Sequence, residues 1–137
     1  MSLVLDSSAA MAQSFHDERT QVIAEIFDQI AQNGAWVPGL WRIEVLNTLN
    51  VGIRRGRINK DDRTKILEHL NSLPIRFDWE THRHCWSTTL HLADRHNLTV
   101  YDATYLELAL RRQLPLATLD KELRSAAKQE GVQLLGI

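Results

Sequence analysis

Leu3-Val4-Leu5-Asp6-Ser7-Ser8 sets three apolar residues directly against an acid and two hydroxyl side chains. The apolar triplet suits a short buried strand, and the two serines are N-cap candidates for a helix beginning just after it. The same switch returns near the other end, where Pro115 to Thr118 reads as a strand and Asp120 starts a helix. Between them strand and helix keep alternating. A helix through Val22, Ile23, Ile26, Phe27 and Ile30 stops at Asn33-Gly34, Trp36-Val37 reads as a strand, and Pro38 opens a helix with Val45, Leu46, Leu49 and Ile53 at a 3.6-residue period. Glu44 falls in the first turns of that helix. Asn59 or Asp61 caps a helix carrying Ile66, Leu67 and Leu70, and Pro74 ends it ahead of an Ile75-Arg76-Phe77 strand. Another helix carries Trp86, Leu90 and Ala93. Leu98 to Tyr101 then reads as a connection delivering Asp102 to a helix over Ala103 to Arg112, apolar nearly all round and therefore central. Gly131 ends the last helix, and Val132 to Leu135 forms the last strand. Parallel strands need crossover connections, usually helical, so the alternation predicts an α/β fold with a short-stranded, mainly parallel sheet between helices.

The 137 residues form one domain over 1–137, with 44% hydrophobic and 24% charged residues, no repeat and no linker-like stretch. A formal net charge of -1 gives no global attraction for nucleic acid or membranes, so a polyanion partner needs a local patch. Cys85 is the single cysteine, which excludes an internal disulfide and suits a reducing cytosol. No apolar run approaches the roughly 20 residues of a membrane span, and no leader pattern opens the chain. The expected location is cytoplasmic.

Asp6, Asp102 and Asp120 each stand between a strand or connection and a helix, and open parallel sheets bind ligands beyond the carboxyl ends of their strands. Each alone has an ordinary role as an N-cap. Together with Glu44 they crowd negative charge, which protons or cations must neutralise. An all-oxygen set favours Mg²⁺ or Mn²⁺ over zinc, and such ions serve displacement at phosphorus.

The segments Val4 to Ala9, Leu40 to Asn47, Tyr101 to Ala109 and Leu116 to Leu123 resemble, in order and spacing, the four acidic motifs of PIN-domain ribonucleases, and among them the VapC-type toxins of type II toxin-antitoxin systems. The resemblance implies an α/β/α sandwich and a Mg²⁺- or Mn²⁺-dependent endoribonuclease cutting RNA by a metal-activated water. It also implies a cognate antitoxin that covers the site, and a homodimer. Carried over, the catalytic and metal-binding quartet is Asp6, Glu44, Asp102 and Asp120. Asp6 and Asp102 would be the strongest ligands, with Thr118 orienting a carboxylate from behind. Asn47 shares a helical face with Glu44. The alternative is a catalytically silent PIN-like module that binds RNA or protein.

Between Arg42 and Lys65 lie seven basic residues against three acidic ones. Arg42, Arg54, Arg55 and Arg57 are the candidates there for contact with RNA or antitoxin, or for a merely solvated face. Arg111 and Arg112 read as charges suited to a helix C-terminus. The four tryptophans read as core or interface anchors. His82, His84 and Cys85 lack a common face and a fourth ligand for zinc. A haloacid-dehalogenase-type phosphatase would need an acid where Ser8 stands, and Ser125-Ala126-Ala127-Lys128 lacks the companion motifs of serine nucleophiles.

Overall fold

Leu3, Val4 and Leu5 are fully buried and pair on both sides, so the opening triplet becomes the centre of the sheet. The computed structural model describes all 137 residues. Its strands β1 (Leu3–Leu5), β2 (Ala35–Pro38), β3 (Ile75–Asp78), β4 (Leu116–Ala117) and β5 (Leu134–Leu135) lie in the order β3-β2-β1-β4-β5. Every pairing is parallel, with Leu3 opposite Ala35 and Leu5 opposite Ala117.

The helices are α1 (Ser7–Ser14), α2 (Gln21–Asn33), α3 (Trp41–Arg54), α4 (Lys60–Ser72), α5 (Thr81–His84), α6 (Leu90–His96), α7 (Val100–Arg112) and α8 (Lys121–Gln129). Right-handed crossovers place α1 to α4 on one face and α5 to α8 on the other, because the chain reverses its direction across the sheet after β3. The packing agrees: α1 lies on α2 and α3, and α7 lies on α6 and α8. This is the three-layer α/β/α sandwich. Ile23, Ile26, Phe27 and Ile30 of α2 and the continuous buried stretch Ala103 to Ala109 of α7 fill the space on either side of β1. No helix is long and apolar enough to cross a membrane.

Local signals set the helix ends. Asn59 accepts the Asp62 N–H at 2.8 Å while Asp62 accepts the Asn59 N–H at 3.0 Å, a reciprocal cap. Gly34 ends α2 at φ 80°, where a side chain would stand 2.9 Å from the Pro74 carbonyl, so glycine is required on both counts.

Four readings need correction. Pro38 closes β2 instead of opening a helix. The β1 ladder along β2 stops at Trp36, so the missing proline N–H costs no bond on that side. The central helix starts at Val100, with Thr99 as its cap accepting the Asp102 N–H at 3.1 Å, which puts Asp102 inside the first turn. The helix through Trp86 is broken by a π-helical turn at Cys85–Thr89, and Trp86 is 95% exposed, as Trp79 is 78% exposed, so neither belongs to the core.

Arg111 and Arg112 are also more than dipole charges. Asp78, buried at the end of β3, accepts from Arg111 Nη2 at 2.5 Å, Arg112 Nη2 at 3.0 Å and Thr81 Oγ1 at 2.6 Å. Arg111 also grips the buried Glu107 at 2.7 Å, and Arg112 stacks 3.6 Å above Trp36. Burial alone would push the Asp78 carboxyl up, but these donors together hold it well below the usual carboxylate range.

Candidate active site

Asp6 leaves β1 at its carboxyl end and occupies the N-cap position of α1, yet its side chain caps nothing. Its Oδ2 instead accepts from Ser8 Oγ and from Thr118 Oγ1, both at 2.7 Å. The same hydroxyls accept backbone N–H groups beyond β4, Ser8 from Leu119 at 3.0 Å and Thr118 from Asp120 at 3.1 Å. The ends of β1 and β4 are thereby stitched around one carboxylate. Gly136 permits the close approach of the last strand, since a Cβ there would sit 2.9 Å from the Thr118 carbonyl.

Asp120 does cap: its Oδ1 accepts the Leu123 N–H at 2.8 Å. Its cap role and its place at the acidic cluster coexist. Asp102 projects from the first turn of α7, and Glu44 from the first turn of α3. Tyr105, fully buried and one helical turn beyond Asp102, donates its hydroxyl to Glu44 Oε1.

These acids feel one another. Burial, followed by the charges of Asp120 and Asp6, pushes the Asp102 carboxyl up to about 6 from 3.8. Burial raises Glu44 despite the Tyr105 hydrogen bond, with Asp6 and Asp102 adding to the rise. Burial likewise raises Asp6 against the opposing bonds from Ser8 and Thr118. Negative charge is concentrated here without matching cations.

A cavity of about 410 Å³ opens on three of the four acids, walled by Asp6, Ser8, Asp102 and Asp120 together with Thr48 and Arg57, while Glu44 lies outside the wall. Arg57 is the cation in this wall; it lies 4.2 Å over the Phe15 ring and pairs with Asp17 at 2.8 Å and Glu18 at 3.2 Å. The remaining basic candidates separate. Arg42 turns away to Asn71 at 3.1 Å and the Phe77 ring at 5.1 Å, on the wall of a different groove. Arg54 and Arg55 are exposed. Asn47 is exposed and outside the cavity wall, where Thr48 takes the place expected of it.

No three Asp, Glu, His or Cys side chains close tightly on a single point. Mg²⁺ keeps several waters and binds through one or two carboxylates, so it does not require a full protein cage. The all-oxygen donors and their unbalanced charge fit such an ion in kind and sign.

Ser8 and Tyr105 lie outside the expected site set. Ser8 had read as a helix cap. Tyr105 carried a usable signal, its spacing of three residues from Asp102 on a single helix.

The PIN domain family model matches residues 3–129. Ribonuclease VapC3 of Pyrobaculum aerophilum is 31% identical over 123 residues, covering 90% of this chain and 92% of that protein. The crystal structure of PAE2754 from Pyrobaculum aerophilum superposes with a TM-score of 0.68 at 25% identity, covering 98% of this chain and 92% of that one. VapBC2 from Rickettsia felis, solved bound to a DNA fragment from its promoter, gives 0.66 at 14% identity, with 100% and 99% covered. FitAcB from Neisseria gonorrhoeae gives 0.62 at 16%, with 99% and 97% covered, and like VapBC2 speaks to the fold. From a family match spanning nearly the whole chain and a relative of this similarity, it follows that the chain belongs to the PIN domain family.

Proposed function

We propose that this protein is a Mg²⁺- or Mn²⁺-dependent endoribonuclease that hydrolyses RNA phosphodiester bonds and serves as the toxin of a toxin-antitoxin pair. The observation that carries the reading is the unbalanced acidic cavity at the carboxyl edge of the sheet, where Asp102 is pushed up to about 6. Similarity to a VapC ribonuclease supports RNA as the substrate.

Asp6 and Asp102 would hold the ion, with Glu44 and Asp120 assisting directly or through water. Once bound, the ion supplies a water acidified toward neutral pH and a Lewis acid for the phosphodiester. The chain's own residues do the positioning. Ser8 and Thr118 fix Asp6 through Oδ2, the Leu123 N–H fixes Asp120 through Oδ1, and Tyr105 fixes Glu44 through Oε1. Each of these three acids is steadied by one oxygen and keeps the other for a ligand. Arg57 stands in the cavity wall already paired with Asp17 and Glu18, so the exposed Arg54 and Arg55 at the end of α3 are the positive charge for an RNA backbone, and RNA affinity should fall with salt.

A cognate antitoxin segment covering the cavity, a homodimer and a cytoplasmic location belong to the same proposal. The test is cleavage of total cellular RNA by purified protein in Mg²⁺ or Mn²⁺, with EDTA and Asp102→Asn as paired controls. Cleavage lost in both supports the reading. Cleavage that survives the substitution contradicts the site, and RNA binding without cleavage points to the silent binding module.

A further inference from the structure

Because the strands are parallel, their carboxyl ends share one edge, and that edge holds a second cavity beside the acidic one. Its volume is about 450 Å³, within the range of small-ligand sites, and its walls include Leu40, Phe77, Trp79, His82, Cys85 and Thr104. It shares two elements with the acidic cluster. The Leu40 carbonyl accepts the Glu44 N–H at 2.9 Å, and Thr104 stands on α7 as Asp102 does, on a different face of that helix. The end of β3, which leads into Trp79, is two strand spacings from Asp6 at the end of β1, about 10 Å.

The walls have a particular chemistry. Trp79 is 78% exposed, and Phe77 packs against it in a T-shaped pair, with centroids 6.1 Å apart and planes at 85°, which holds the indole while most of its surface stays open for stacking. The exposed His82 at the rim offers a ring nitrogen for hydrogen bonding. Asp78, also in the wall, is matched by Arg111 and Arg112 and so does not repel a polyanion. A flat exposed aromatic face, an adjacent polar group and a neighbouring phosphate-directed site are what a splayed RNA base requires.

We infer that this second cavity takes the nucleobase flanking the cleaved phosphodiester, stacked on Trp79 and read at its edge by His82, making cleavage selective for single-stranded sequence. The inference rests on the ribonuclease reading for the word "cleaved", while base binding stands separately.

The test is a titration of single-stranded RNA pentamers of A, C, G and U, with duplex RNA as control, into the full chain in EDTA, followed by tryptophan fluorescence. Trp79→Phe should abolish the quenching yet bind within about threefold of wild type, because a phenyl ring still stacks. Trp79→Ala should weaken binding about tenfold. His82→Ala should alter the ranking of the four bases. In cleavage of a random-sequence RNA, Trp79→Ala should raise KM and broaden the mapped cut sites while kcat is kept. Quenching that survives Trp79→Phe, unaltered binding and cut sites in Trp79→Ala, or no binding of single strands overturns the proposal. So does a change of oligomeric state by light scattering in place of an RNA effect, which would make Trp79 an interface with a second copy. Binding through Trp79 without any cleavage would keep the base site and remove the ribonuclease reading; cleavage indifferent to Trp79 would do the reverse.

Discussion

Asp6 and Asp78 are both buried carboxylates at the carboxyl ends of parallel strands, β1 and β3 on either side of β2, and their surroundings push them in opposite directions. Asp78 receives two guanidiniums and a hydroxyl and is held strongly ionised. Asp6 receives only two hydroxyls, so burial prevails, the charge of Asp120 adds to it, and its carboxyl rises. Two arginines convert a buried acid into a tie between α7 and β3. Hydroxyls alone orient a buried acid and leave its charge available to something outside the chain. The difference separates residues that hold the fold from residues that the fold holds in readiness.

The largest effect should come from removing the acid that the two arginines tie down. Asp78→Ala strands Arg111 and Arg112 beside Glu107 and should cost about 3–5 kcal/mol in urea denaturation, the usual penalty for breaking a buried pair from one side. A loss below about 1 kcal/mol would show that the two regions do not differ as described.

Next in size is Tyr105→Phe, which deletes the hydroxyl on Glu44 and keeps the ring packed in the core. It should weaken Mn²⁺ affinity about tenfold, the low end for loss of a partner behind a ligand, while the urea midpoint moves little. An unchanged Mn²⁺ affinity would restrict Tyr105 to packing.

The smallest effect concerns pH and reverses the usual sign for a mutated acid. Asp102 titrates near 6 in the folded chain against 3.8 ordinarily, so between those values the folded state holds a proton that the unfolded state has released. Its contribution to stability therefore falls as pH rises from about 4 to 6 and stays low above that. Asp102→Asn should be more stable than wild type at pH 7.5 by roughly 1 kcal/mol, after discounting for a half-exposed group, and the two should converge near pH 4. Asp78, with its lowered carboxyl, acts oppositely: its contribution is present above about pH 4 and is lost as acid protonates it in the folded state.

Much of the acidic edge was legible because its signals are local. Leu3 to Asp6 and Pro115 to Asp120 each place an apolar strand, an acid and a helix start within a few residues, and Thr118 lies inside that pattern. Asp102 was found but its helix was started three residues late, since β-branched Val100 and aromatic Tyr101 look like a connection until Thr99 is seen to cap them. Pro38 misled because its helix-opening preference is local, while the reason it can end β2 is the short reach of a strand that pairs from far away in the chain. The arginine tie was illegible for the same reason: Asp78 and Arg111 are 33 residues apart, and two basic residues at a helix end already have an ordinary explanation. Ser8 was visible as a residue, and its bond to Asp6 is local, but the Leu119 N–H that it accepts depends on β4 arriving beside β1.

The central claim is that the acidic edge lacks a counter-charge that a divalent cation supplies. Thermal denaturation in a Mn²⁺ titration at pH 7.5 tests it most directly, with wild type beside Asp102→Asn. The account predicts a melting temperature that climbs with Mn²⁺ in wild type, by about 2.7 kcal/mol of stabilisation at a hundred times Kd, and a strongly reduced climb in the variant. A wild-type melting temperature indifferent to Mn²⁺, or an equal climb in Asp102→Asn, would contradict it.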